Sequence, residues 1–363
     1  MAHKTYKIIL TDKSWHGHED AVVSRDIPVH EGCELAKMSE VVWETRPAYA
    51  EVQPGLFIPV EGKKVLVRLP NSWDNTFHTI GNRLVKDYQI VDNGFLCGLA
   101  SKMAEVTGWK FEGAGTLSKG EMSFIQLRLN EDFNVAGRKY EAHKAMFMFG
   151  DDKRGGSGYG GLVFTRIQCW NTWRMAAGED GVFKIPHRDD PHAQWEFVNA
   201  RVEAAIAALK NQNAILDKFF VTALARRDFN QFLENAIPTP SVPKAIVEAE
   251  EARAMLEDGL VKGDKLAHIL FRGDRAQNDY ESKYALVERR REAVERAYDT
   301  FNAGPSESKE TLYSAFNGLT WVANHGDTNV FRGNSTTGVL FNGARGQFVD
   351  KGYNVLKSML EAQ

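Results

Sequence analysis

Between Lys153 and Leu162 the chain reads Arg154-Gly-Gly-Ser-Gly-Tyr-Gly-Gly161, and Gly156, Gly158 and Gly161 reproduce the spacing of a dinucleotide-binding turn. That turn needs a helix after it, whose N-terminal amides hold a pyrophosphate. Here Leu162 to Trp170 alternates apolar and polar residues as a strand does, so the glycines are expected to form a hairpin tip. The chemistry left to them is phosphate contact, through bare backbone amides beside the cations Lys153 and Arg154.

Three groupings offer imidazole next to carboxylate: His16-Gly-His18-Glu-Asp20, His187-Arg-Asp-Asp-Pro-His192 and His325-Gly-Asp327. Such pairs can ligate a divalent metal. None has the helix spacing of a metalloprotease pair, and each sits in loop-like composition where His and Asp serve turns. No metal and no other cofactor is expected. Nucleophile signatures are missing too: there is no G-x-S-x-G, and Cys169 alternates onto the apolar side of its strand. Cys33, Cys97 and Cys169 are odd in number and lack a Cys-x-x-Cys, so they are expected to be reduced, buried thiols.

A basic and aromatic segment is the most usable constellation. From Ser101 to Arg174 there are eleven Lys and Arg against eight Asp and Glu. Lys119, Arg128, Lys144, Lys153, Arg154, Arg166 and Arg174 fall in and around three strand patterns, with Phe124, Phe164, Trp170 and Trp173 nearby. Cations that track phosphates and flat rings that stack bases are what binds single-stranded nucleic acid. The plainer reading is the solvated face of an antiparallel sheet, with Trp170 and Trp173 packed under helices.

The elements that must carry these residues are legible in outline. Met122–Leu129, Lys144–Phe149 and Leu162–Trp170 predict a consecutive antiparallel meander, with Ile125, Leu127, Leu129 and Val163 on an apolar face and Phe124, Gln126, Arg128, Phe164 and Arg166 on the other. Asn171 and Thr172 would cap a helical turn starting at Trp173. Phe95, Leu99 and Met103 recur four apart, as on a short helix. Further on, helices are expected over Val198 to Leu224, from Pro243 to near Gly259, from Ala276 to Asn302 and from Ser308 to Asn324. The run Glu288-Arg-Arg-Arg-Glu-Ala-Val-Glu-Arg296 alternates signs as a solvated helix face does. The fold class is therefore α+β: a central, mainly antiparallel sheet with N-terminal strands, packed against a C-terminal helical region. Residues 1–192 form the β-rich domain, and 193–363 the helical region with its Gly/Asn-rich C-terminal segment.

Composition narrows the function classes. With 363 residues, 43% hydrophobic and 26% charged, the chain is an ordinary globular one. A net charge of -3 excludes indiscriminate binding of nucleic acid over the whole surface and leaves only a local basic site. No stretch approaches the ~18 apolar residues of a membrane span. Met1 to Asp12 holds a three-residue apolar run, too short for a signal-peptide core, so a cytoplasmic protein is expected.

Taken in order, several strings resemble the phage/plasmid-like domain of unknown function 932 family. They are Trp15-His-Gly17, Trp43-Glu-Thr-Arg-Pro-Ala-Tyr49, Tyr88-Gln-Ile-Val-Asp-Asn93, Phe111-Glu-Gly-Ala-Gly-Thr-Leu-Ser-Lys-Gly120, Thr165-Arg-Ile-Gln-Cys-Trp-Asn-Thr172 and Phe316-Asn-Gly-Leu-Thr-Trp-Val-Ala-Asn-His325. They span nearly the whole chain, and Arg166 to Thr172 is the most specific. One departure is Asp151-Asp-Lys-Arg-Gly-Gly156, where the family often has a His-Asp-Gly loop, so no role for that histidine carries over. The resemblance implies a mobile-element protein of DNA metabolism in the bacterial host cytoplasm. By fold-level analogy it suggests a homo-oligomer, ring-forming like single-strand annealing proteins.

The leading expectation is a non-enzymatic protein that binds single-stranded DNA through Lys119, Arg128, Lys144, Lys153, Arg154, Arg166, Trp170 and Arg174. The competing ones are a metal-dependent nuclease or hydrolase using His187, His192 or His325, and a factor that binds a host protein.

Overall fold

A computed structural model describes residues 5–11, 22–23, 26–80, 85, 87–130, 133–137, 142–154, 157–166, 172–174, 183–188, 190, 193, 198–258, 263–304, 308–327, 329–331 and 344–362. The chain is α+β, and it divides into two compact units, Met1–Lys218 with Asn334–Gly346, and Phe219–Gly333 with Gln347–Gln363. No helix among the described residues is long and apolar enough to cross a membrane.

The first unit is built on an eight-stranded sheet. Its strands are β1 (Thr5–Leu10), β5 (Lys110–Leu117), β6 (Met122–Arg128), β8 (Ala142–Asp152), β9 (Gly158–Arg166) and β10 (Thr172–Arg174) in that spatial order, every pair antiparallel. The short β7 (Phe133–Asn134) adds to β8, and β11 (Phe183–Ile185) to β9. The expected meander is thus β6, β8 and β9, and the glycines after Arg154 lead into β9 rather than into a helix. Gly158, Gly160 and Gly161 lie within that strand.

Both faces of this sheet are buried. On one, Ile8, Leu10, Leu117, Met122, Phe124, Met146, Met148 and Val163 form a core cluster. On the other, Ile125, Leu127, Phe147 and Phe149 are fully buried. Over that second face lie α1 (Val29–Leu35), against β5, and α2 (Asn93–Thr107), against β6 and β8. Helix α2 starts where the Asp92 carboxylate accepts the Phe95 amide at 2.7 Å and stops at Gly108 in the left-handed region, φ 69°. Its buried stripe is Leu96, Ala100 and Met103, one residue out of phase from the expected Phe95 and Leu99. Cys33 on α1 is buried and Cys97 half-buried, both as free thiols; Cys169 lies outside the described residues.

A second sheet of three strands stands at the β5–β6 turn: β2 (Trp43–Gln53), β3 (Leu56–Arg68) and β4 (His78–Thr79). Its base has its own core of Val41, Trp43, Leu66, Ile80 and Val85.

The second unit is helical: α3 (Val198–Val221) leads into it, followed by α4 (Arg226–Ala236), α5 (Lys244–Glu257), α6 (Gly263–Ala303), α7 (Leu312–His325) and α8 (Ala344–Glu361). Pro243 precedes α5 as expected, whereas α6 begins thirteen residues before Ala276. Helix α7 opens on a capping box in which Thr311 and Ser314 satisfy each other's backbone donors, and nearly all of it is buried. Phe229 of α4 stacks on Tyr298 of α6 at 3.9 Å between ring centroids.

Helices α5 and α6 touch almost backbone to backbone. A Cβ on Gly273 would stand 2.1 Å from the Ala249 Cβ and 3.1 Å from the Ala245 carbonyl oxygen. Gly273→Ala should therefore push the pair apart, costing about 1–3 kcal/mol of overpacking against a gain of ~1 kcal/mol in helix propensity. The expected result is a lower thermal midpoint, restored in part by adding Ala249→Gly. A midpoint unchanged or raised in the single variant would refute the close approach.

Candidate nucleic-acid interface

Strand register decides which of the expected cations stand together. One rung crosses the sheet: Lys110 is opposite Arg128, Arg128 opposite Met146, Met146 opposite Val163, and Val163 opposite Arg174. Directly opposed residues of antiparallel strands share a face. Lys110, Arg128 and Arg174 therefore share one, and Lys144, two residues from Met146 along β8, belongs to it as well. At roughly 4.8 Å per strand, the four positions span about 20 Å at one end of the sheet. Arg166 stands opposite His143, one step out of phase, and so falls on the other face. The expectation that Arg128 and Arg166 line one face is corrected: Val163, not Phe164, is the β9 residue in phase with Arg128.

The rest of that face is core, not solvated surface. Phe124 and Gln126 are fully buried, so only the end of the face reaches water. There Arg128 is half-buried, and Lys110 holds the Asp26 carboxylate at 2.6 Å, with both side chains largely exposed. The Lys110 hydrogen bond and charge, with a further contribution from Arg128, keep the Asp26 carboxyl below the usual carboxylate range.

Lys119, Lys153 and Arg154 sit at the opposite end of β6, about 20 Å from Arg128 at ~3.4 Å per residue. Lys119 is exposed at the β5–β6 turn, in a left-handed backbone conformation of φ 59°. Lys153 is not a surface cation: its side chain is 2% exposed and its ammonium donates to Asp151 Oδ2 at 2.6 Å. Arg154 is exposed and closes on the Asp152 carboxylate at 3.0 Å through both Nε and Nη2, so its charge is locally neutralised. Trp170 lies outside the described residues. Thr172–Arg174 form strand β10, so the expected helix start at Trp173 is replaced by a returning strand opposite Val163 to Thr165.

Asp151 is the centre of a buried polar group. It ends a row across three strands, Thr116 opposite Ser123 and Ser123 opposite Asp151, all fully buried. His187 Nε2 lies 3.0 Å from Asp151 Oδ1, close enough for an ion pair though poorly directed for a hydrogen bond. Its Nδ1 faces the Gln89 carbonyl at 3.1 Å, and its ring stacks on Tyr88 at 4.4 Å. Burial by itself would raise the Asp151 carboxyl; the Lys153 ammonium and His187 outweigh it and hold the carboxyl below the ordinary range. Neither nitrogen of His187 opens toward a metal. His325 packs on Trp321, His192 lies outside the described residues, and no group of three His, Cys, Asp or Glu among those described is arranged to hold an ion.

One surface went unread in the sequence. The distal halves of β2 and β3 are exposed on both faces, forming an arm with Tyr49 and Phe57 each 59% exposed. Phe77, 58% exposed, lies under the Arg46 guanidinium at 5.1 Å, and Lys63 and Lys64 are exposed. The base of the arm is fixed: Trp43 Nε1 donates to the Gly120 carbonyl at 3.0 Å, and fully buried Arg68 reaches Asp74 at 2.6 Å. The signal available was the Pro54-Gly55 turn between two β-rich runs, with Leu56-Phe-Ile-Pro-Val60 apolar at consecutive positions, a pattern that fits no one-sided strand.

A family model described as Domain of unknown function (DUF932) matches residues 83–359, more than half of the chain. No curated protein and no solved structure matches it.

Replacing Lys153 with Met should strand the Asp151 charge and cost about 3–5 kcal/mol at pH 7. Because the folded carboxyl titrates below its unfolded value of about 3.9, the stabilisation is present above that pH and lost as pH falls below it. Urea unfolding of both proteins should show the gap closing toward pH 3. A gap that persists there would mean that Lys153 does not act through the carboxylate.

Proposed function

From the premise that the chain belongs to the domain of unknown function 932 family, we propose that it binds single-stranded DNA without catalysing a reaction on it. The observation that carries this reading is the rung of Lys110, Arg128 and Arg174, with Lys144 one step away on the same face. Four basic positions in one backbone register at the end of the sheet match a chain of phosphates, whereas a solvated structural face needs no such alignment. The exposed rings Tyr49 and Phe57 supply what phosphate contacts alone lack, flat surfaces on which bases of any sequence stack. The resemblance further supports a phage- or plasmid-encoded protein of DNA recombination or metabolism, acting in the bacterial cytoplasm. One short rung is a modest site, so a homo-oligomer that repeats it would gain affinity through effective concentration.

The two contact types separate experimentally. Titrating labelled oligothymidylate at two salt concentrations, Arg128→Ala and Lys144→Ala should each weaken binding and flatten the salt slope by roughly 0.7. Tyr49→Ala and Phe57→Ala should each lower affinity by about 1–3 kcal/mol and leave the slope unchanged. Absence of binding by the wild-type protein at low salt rejects the reading. Full affinity in the ring variants assigns the arm to a protein contact instead.

A further inference from the structure

Three consecutive arginines on α6 behave differently, although their sequence pattern suggested one solvated face. Arg291 is fully spent: its Nε donates to the Ile237 carbonyl at 3.0 Å and its terminal nitrogens to Glu288 and Thr239 at 2.9 and 3.1 Å. Among the described residues, Arg289 and Arg290 each donate only through Nε, to the adjacent carbonyls of Asn329 and Val330 at 3.1 and 3.0 Å. No carboxylate among the described residues pairs with either. The Arg290 guanidinium lies 4.8 Å over the ring of Phe331, itself buried and packed edge-on against Phe348. Burial disfavours its charged form with nothing to offset that. The one acid of the adjoining loop, Asp327, is turned inward: its carboxylate accepts the Asn329 amide at 2.9 Å, the Asn329 side chain at 3.2 Å and the Val330 amide at 3.3 Å.

We propose that Arg289 and Arg290 form a binding site for a phosphate group. Both guanidiniums are anchored through Nε on the carbonyls of adjacent residues, Asn329 and Val330, and their terminal N–H groups have no acceptor among the described residues. A tetrahedral anion accepts those donors in the forked geometry that guanidinium favours, and offsets the buried charge of Arg290. Anchoring through Nε and the Phe331 ring fixes both side chains beforehand, so little side-chain freedom is lost on binding. The phosphate comes either from a nucleic-acid backbone or from a small phosphorylated ligand. The site lies in the helical unit and does not depend on the rung of the β unit.

Arginine modification by phenylglyoxal, mapped by mass spectrometry on the full chain, tests this. Inorganic phosphate should protect Arg289 and Arg290 at least several-fold at constant ionic strength, while Arg226, paired with acids on the surface, stays unprotected. Protection by both phosphate and a short oligothymidylate assigns a backbone phosphate; protection by phosphate alone assigns a small ligand. Calorimetric phosphate binding should fall roughly tenfold in Arg290→Gln and in Arg290→Lys, a point charge that lacks the fork. No protection by phosphate, or unchanged binding in a folded Arg290→Gln, overturns the site. Arg128→Ala should leave protection intact, which separates this result from that of the rung.

Discussion

A carboxylate with no access to water is the constraint on which the β unit turns. Asp151 ends β8 inside a sheet covered on both faces, and an isolated charge there is untenable. One partner is local, Lys153 two residues on at the β8–β9 turn; the other, His187, comes from beyond β11 and is itself held by Tyr88 and Gln89 ahead of α2. Asp151 also sets register. A one-residue slip of β8 would carry it from the side of Ser123 and Thr116 to the side of Phe124 and Met148, away from His187. With β8 fixed at this end, the other end is fixed too, and Arg128 is held opposite Met146 and Val163. The alignment of the basic rung is thus a consequence of the buried charge about 20 Å away.

That dependence explains what was legible in the sequence. Alternation showed β6, β8 and β9 because period-two patterning is local, and Pro243 marked α5 because proline is tolerated at a helix start. Family membership was legible in strings such as Arg166 to Thr172. The phase between strands is not local. Nothing within β9 says whether Val163 or Phe164 faces the side of Arg128; the answer lies in pairings made through β8. Lys153 misled for a similar reason. A lysine beside glycines reads as a loop cation, and only the closure of the sheet shows that its ammonium points inward to Asp151.

The same closure buries His187 beside the carboxylate. Both nitrogens of His187 face oxygen acceptors inside the protein, and the side chain is 4% exposed. A ligand histidine must present a lone pair to the ion while its other nitrogen is oriented by a partner, and His187 uses both for orientation. Its role is structural, packed on Tyr88 beside a buried carboxylate.

A chain of net charge -3 is not an obvious partner for DNA, yet net charge acts only through distance. At physiological ionic strength, charges more than about 8 Å apart across water are largely screened. Neighbouring positions along the rung lie within or close to that range, one or two strand spacings apart, whereas acids scattered elsewhere over the surface do not. Among the described residues, the acid seen paired within that range is Asp26, on Lys110. A pair between two largely exposed side chains contributes little, so a phosphate can take the place of Asp26 at small cost. On the proposed DNA-binding reading, Asp26 is an exchangeable counterion that a phosphate displaces from Lys110.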